Sequence, residues 1–196
     1  MKKLITLLLV CLIAVSFCAC AEDPYHVSAD IDITENEITD MILYNKITNQ
    51  INYEYLNSVF TEPDLTKQYE KVVLPEDKNK VENYLLERKL IVEKCKDFDV
   101  HLTTDETTKT DLTEYDNIQQ DSGNPEYYNV ILSVLDKNSV AEADYLKLLE
   151  NEAYYKYNSV SLKSYFSKEY FDESKGTTLE EQFDYYTNKL VDEYLR

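Results

Sequence analysis

Residues 139–196 hold a single glycine, Gly176, and no proline. Tyr145, Leu148, Leu149, Tyr155, Leu162, Phe166 and Tyr170 recur at helical spacing, which makes one face apolar over many turns. Ser139 and Glu142 stand at the spacing of a capping box, the serine serving the first orphan amides and the glutamate reaching back. Gly176 can take the left-handed conformation that ends a helix. Beyond it Leu179, Phe183, Tyr186, Leu190 and Tyr194 follow at intervals of 4, 3, 4 and 4. Two helices joined this closely are expected to form an antiparallel hairpin whose apolar faces need other helices as cover.

The preceding residues read as that cover. Thr34 and Glu37 form a second capping box, heading a helix to about Phe60 with Ile38, Met41, Ile47, Ile51, Tyr55 and Val59 on one stripe. Thr61-Glu-Pro63 is expected to stop it, because the residue before a proline disfavours helix. Residues 64–74 are polar and aperiodic, a linking segment. Pro75 fits the first turn of the next helix, where its missing amide costs nothing. That helix is expected to reach Phe98, with Val81, Leu85, Val92 and Cys95 on one side and Leu86, Leu90 and Ile91 beside them. Thr103 with Glu106 heads a weaker helix carrying Leu112, Tyr115 and Ile118. Gly123-Asn-Pro125 ends that one and opens another with Tyr127, Tyr128, Val130, Ile131, Val134 and Leu135. Residues 136–138 turn into the terminal hairpin, and Thr178 heads its second helix. Ahead of all this, Val27, Ala29, Ile31 and Ile33 alternate with polar residues at the period of a strand, yet no partner strand is visible. They are expected to lie as an extended arm on the helices. The predicted class is all-α, with about six helices ending in a long antiparallel hairpin. Residues 1–20 read as a signal peptide, 21–33 as tether and arm, and 34–196 as the helical domain.

Composition narrows the function. With 20 Lys+Arg against 38 Asp+Glu, the net charge of −18 repels nucleic acid and anionic membrane surfaces. Two glycines and four prolines argue against propellers, sandwiches and glycine-rich phosphate loops. The 18 tyrosines, against 6 phenylalanines and no tryptophan, make tyrosine the main large apolar group, with hydroxyls that need water or a partner.

The first residues carry an address. Met1-Lys-Lys3 is a positive segment, and the apolar region of 14 residues at 4–17 is too short to span a bilayer comfortably. Phe17-Cys-Ala-Cys20 resembles a bacterial lipobox, which implies diacylglycerol on Cys20 and a membrane-anchored extracytoplasmic protein, though Phe17 and Cys18 depart from the usual aliphatic and small residues. A conventional cut after Ala21 would instead release a soluble secreted protein. Cys11 and Cys18 leave with the signal in either case. With Cys20 lipidated, Cys95 is the one unmodified thiol left, so no intramolecular disulfide is expected, and its apolar helical setting suits a small buried hydrophobe.

Residues 80–166 carry three patterns in order. These are the helix Val81-Glu-Asn-Tyr-Leu-Leu-Glu-Arg-Lys-Leu-Ile-Val-Glu-Lys-Cys95, the connection Asp99-Val-His-Leu-Thr-Thr-Asp-Glu106, and the turn Asn138-Ser-Val-Ala-Glu-Ala-Asp-Tyr145. Together they resemble the N-terminal peptide-binding domain of SurA-like and PrsA-like extracytoplasmic chaperones, related to the substrate-binding helices of trigger factor. Ile31-Asp-Ile-Thr-Glu-Asn-Glu37 resembles the family's opening segment without its glycine, and Phe98 stands where a small residue is usual. The resemblance implies a cradle of helices for unfolded segments of exported proteins. No stretch has the length, glycines or histidine pair of a parvulin domain, so no isomerase activity follows.

No catalytic or metal-binding constellation can be assembled, and no cofactor is implied. His26 and His101 lack a ligand partner at metal spacing. Asp30, Asp32, Glu35 and Glu37 lack the glycine and spacing of a calcium loop. A serine nucleophile elbow needs absent glycines. Non-catalytic binding is therefore expected, with exported or unfolded polypeptides as partners; an adaptor for one envelope protein is the alternative. Tyr154, Tyr157 and Tyr165, off the apolar stripe of the long helix, are the candidate peptide-binding residues, the alternative being packing against a neighbouring helix.

Overall fold

The computed structural model describes residues 24–59, 73–120, 125–170 and 178–196. Six helices appear among them: α1 (Glu35–Val59), α2 (Lys78–Asp97), α3 (Thr104–Gln120), α4 (Pro125–Lys137), α5 (Glu142–Glu169) and α6 (Leu179–Tyr194). The described residues contain no strand, and the all-α class holds. The signal segment with Cys20, the expected stop at residues 61–63, the linker up to residue 72, Gly123 and Gly176 lie outside the described residues.

Local signals set most helix starts. Thr34 N donates to Glu37 Oε2 at 2.8 Å while Glu37 N donates to Thr34 Oγ1 at 3.3 Å. The same reciprocal pair joins Thr103 to Glu106 and Thr178 to Glu181. Each satisfies two donors that a helix start would otherwise leave open. Pro75 is not in the first turn of α2. The N-cap is Asp77, whose carboxylate accepts from Lys80 N at 3.2 Å, and Pro75 lies ahead of it with its carbonyl taken by Asn45 Nδ2 at 2.6 Å.

The capping box expected at Ser139 does not form. Ser139 is at φ 54°, and Val140 N donates to Leu135 O at 3.0 Å while Ser139 N donates to Asp136 O at 3.0 Å. That pair of hydrogen bonds is the left-handed termination of α4, so Ser139 cannot also cap the next helix. Ala141 is the N-cap of α5 and offers no side-chain bond. Glu142, freed from capping, accepts from the hydroxyls of Tyr115 at 2.8 Å and Tyr128 at 2.9 Å. α2 ends in the same way, with Asp99 at φ 55° and Val100 N on Cys95 O at 2.8 Å.

Helix α5 touches all five other helices and α2 is buried along two sides. One end of the core joins α1, α3, α4 and α5 through Ile47, Ile51, Tyr115, Val134 and Tyr145. The other joins α2, α5 and α6 through Ile91, Cys95, Leu162, Phe166, Phe183 and Tyr186. α6 rests mainly on α2 and only lightly on α5, so the close α5–α6 hairpin expected from the sequence is not what organises this end. The reason is that α2 presents a second apolar side, Leu86 and Leu90, which Leu190 covers. Tyr170, expected on the α5 stripe, falls just past the helix and is 38% exposed.

Candidate functional site

The expected arm lies on the helices, without helix or strand of its own, and carries a turn at Pro24–Tyr25 and a bend at Ala29. From residue 25 to 33 the odd positions, Tyr25, Val27, Ala29, Ile31 and Ile33, are buried or half-buried, and the even ones, His26, Ser28, Asp30 and Asp32, are exposed. Val27 packs with Leu86 and Leu90 of α2 and Leu190 of α6, with Ala29, Ile31 and Ile33 alongside. The period of two thus appears without a strand partner, because the seam between two helices supplies the sockets.

Side chains do for the arm's main chain what a neighbouring strand would do. Tyr186 Oη donates to Pro24 O at 2.9 Å, and Lys94 Nζ donates to His26 O at 2.8 Å. Ile31 N donates to Tyr194 Oη at 2.8 Å, and Lys89 Nζ donates to Asp32 O at 2.5 Å. Lys94 is almost fully buried, with Asp97 Oδ2 at 2.9 Å as its counter-ion. Lys89 also reaches Glu37 Oε1 at 2.5 Å. Burial works to raise the Glu37 carboxyl, but the bonds from Lys89 and Thr34 outweigh it and hold the group below its ordinary value.

The energetics of the docked arm are close to balance. Burying its five inward side chains contributes roughly 6–10 kcal/mol, and four main-chain hydrogen bonds add roughly 2–6 kcal/mol. Ordering ten residues costs roughly 10–15 kcal/mol.

Where the arm begins, the seam opens into an aromatic cleft of about 570 Å³ lined by Pro24, Tyr25, Phe166, Tyr170, Tyr185 and Tyr186 among others. Tyr25 and Tyr186 have ring centroids 5.5 Å apart, and Lys189 Nζ lies 3.8 Å from the Tyr25 ring centroid. Tyr185, 65% exposed, leaves an apolar face toward water.

The tyrosines singled out from the sequence lie elsewhere on α5, and all three are half-buried. Tyr154 Oη shares a 2.9 Å hydrogen bond with His101 Nε2, and Tyr157 Oη donates to Asp111 Oδ1 at 3.4 Å. Tyr165 stacks on Phe98 with centroids 4.7 Å apart. They brace α5 against the 99–103 connection, α3 and the C-cap of α2. No motif in the sequence marks the seam residues as a site, although Lys89, Lys94 and Tyr194 lie at helical spacing from the apolar positions that hold the arm.

Two further polar groups, Arg88 and Cys95, are internally satisfied. Arg88 forms a bidentate pair with Glu152, one arm at 2.6 Å, binds Tyr84 Oη, and lies 4.0 Å from the Tyr84 ring centroid, fastening α2 to α5. Cys95 Sγ donates to Asn158 O at 3.2 Å, and burial pushes its thiol up to about 12, which keeps it protonated and unreactive. A cavity of about 140 Å³ among α1, α2 and α5 is well below the size of sites that enclose a drug-sized ligand, roughly 300–1,000 Å³. Among the described residues no three His, Cys, Asp or Glu side chains are grouped to hold a metal ion, and no helix is long and apolar enough to cross a membrane.

No protein-family model, curated protein or solved structure matches this chain.

Proposed function

We propose that this chain is an extracytoplasmic, chaperone-like protein, tethered to the membrane by lipid on Cys20, that binds unfolded or exported polypeptides without catalysing a reaction. One observation carries the reading: the helical body holds a ten-residue non-helical segment by its peptide groups and its alternate side chains. Contacts to peptide groups are indifferent to sequence, and apolar sockets at every second position ask only for a pattern common in unfolded chains. The acidic surface supports solubility and discourages self-association.

In-cell cross-linking of the full chain, followed by identification of everything captured, tests this. Many unrelated exported proteins, weakly held, are expected. A single dominant partner would replace the chaperone reading with that of an adaptor for one envelope protein. Cys20→Ala is expected to release the protein from the membrane fraction, and continued anchoring would remove lipidation from the account. Replacing Tyr154 and Tyr157 by alanine separates the two faces: capture that falls with the fold intact places clients on α5 as well.

A further inference from the structure

We infer that the seam between α2 and α6 is a binding site for extended polypeptide with apolar residues at alternate positions, and that residues 24–33 are its resident occupant, exchangeable for a segment of the same pattern from another chain. The inference rests on the polypeptide-binding reading and deepens it by naming the surface and the class of segment it takes.

Three observations carry it. The seam recognises Pro24 O, His26 O, Ile31 N and Asp32 O, and three of these are carbonyls that any polypeptide presents. The outward residues, His26, Ser28, Asp30 and Asp32, are exposed, so the seam is open to other side chains at those positions. Two of the groups that hold the arm, the tips of Lys89 and Tyr194, are half-buried and can turn to water once the arm leaves, while Lys94 and Tyr186 are buried with the arm in place. The chain at Leu102 is gripped differently, from both sides at once by the short, fully buried amide of Asn158.

The arm competes because it is attached. A tethered segment acts at an effective concentration on the order of millimolar, so it masks the seam against weak ligands and yields to abundant or tighter ones. The apparent affinity of an incoming segment is its intrinsic affinity scaled by the fraction of molecules with the arm undocked.

The test is a fluorescein-labelled peptide copy of residues 24–33, titrated into the purified full chain and into a V27D/I31D variant, read by anisotropy. The charges expel the arm, and the variant is expected to bind the peptide at least about 10-fold more tightly than the wild type, with unchanged helical circular dichroism. Equal binding by both proteins, or none by a folded variant, overturns the inference. If the variant fails to fold, the wild type decides: excess peptide is expected to speed hydrogen exchange at the Ile31 amide, and an unchanged rate overturns the proposal. Client capture that is unaffected by V27D/I31D sinks the seam and leaves the chaperone reading standing. Peptide binding without any client capture does the reverse.

Discussion

Two non-helical stretches of this molecule lie across helices and are held in opposite ways. The 99–103 connection is sealed by Asn158, a fully buried residue of α5. Its Nδ2 donates to Leu102 O at 3.1 Å and its Oδ1 accepts from Leu102 N at 2.9 Å, so one amide side chain replaces a whole strand partner. Ser161 Oγ adds a bond to Val100 O at 2.6 Å. Asn49 grips Leu74 in the same two-handed way, donating at 3.0 Å and accepting at 2.8 Å. The arm at 24–33 has no such clamp; its peptide groups meet lysine and tyrosine tips spread over ten residues. A short buried amide has no substitute when its partner leaves, whereas the half-buried tips of Lys89 and Tyr194 can turn to water. The connection is thus part of the body and the arm is a guest on it.

Substitutions measure the difference, and the largest effect is expected at the clamp. Asn158→Leu strands both polar groups of Leu102 and is expected to cost about 3 kcal/mol in chemical denaturation, with no effect on seam binding. A loss below about 1 kcal/mol would mean the connection is no better fixed than the arm.

Alkaline pH strains both regions at once. Burial raises the phenols of Tyr44 and Tyr145 in the body and of Tyr186 under the arm, and pushes Tyr155 up to about 12. Groups raised on folding give stability that is complete below their unfolded value and is lost as pH climbs through the folded one. Melting temperature is therefore expected to hold up to about pH 10, the ordinary tyrosine value, and to fall steeply above it. A flat profile to pH 12 would contradict the burial of these rings.

Val27→Ala removes two methyl groups from the seam and is expected to cost about 1 kcal/mol, well under the cost of Asn158→Leu. A cost matching the clamp would make the arm part of the core. The smallest effect runs the other way. Ser139→Gly relieves a left-handed backbone at the α4 terminus and is expected to stabilise the fold by about 0.5–1 kcal/mol. Destabilisation by that change would mean the serine hydroxyl matters at the turn.

Much of this architecture can be read from residue spacing. The boxes at Thr34, Thr103 and Thr178 announce three helix starts, because each depends on two residues three apart. The alternation from Val27 to Ile33 announces an arm that buries every second residue against the helices. Ser139 misleads because the same residue lies at the end of α4, and the left-handed termination there takes precedence over capping. The placement of α6 on α2 is hidden because an apolar stripe says that a face is covered without saying by what. The seam itself escapes a reading of motifs for a related reason. Its lysines and tyrosines are ordinary surface residues until the fold sets α2 beside α6, and Lys94, in a sequence so acidic, gives no sign that it will be buried.

The most direct measurement is native-state hydrogen exchange that compares the amide of Ile31, bound to Tyr194 Oη, with the amide of Leu102, bound to Asn158 Oδ1. Ile31 is expected to exchange through a local opening that denaturant scarcely affects, while Leu102 is expected to wait for global unfolding. If the two amides exchange together and share the denaturant dependence of global unfolding, the arm is core and the account of an exchangeable occupant is wrong.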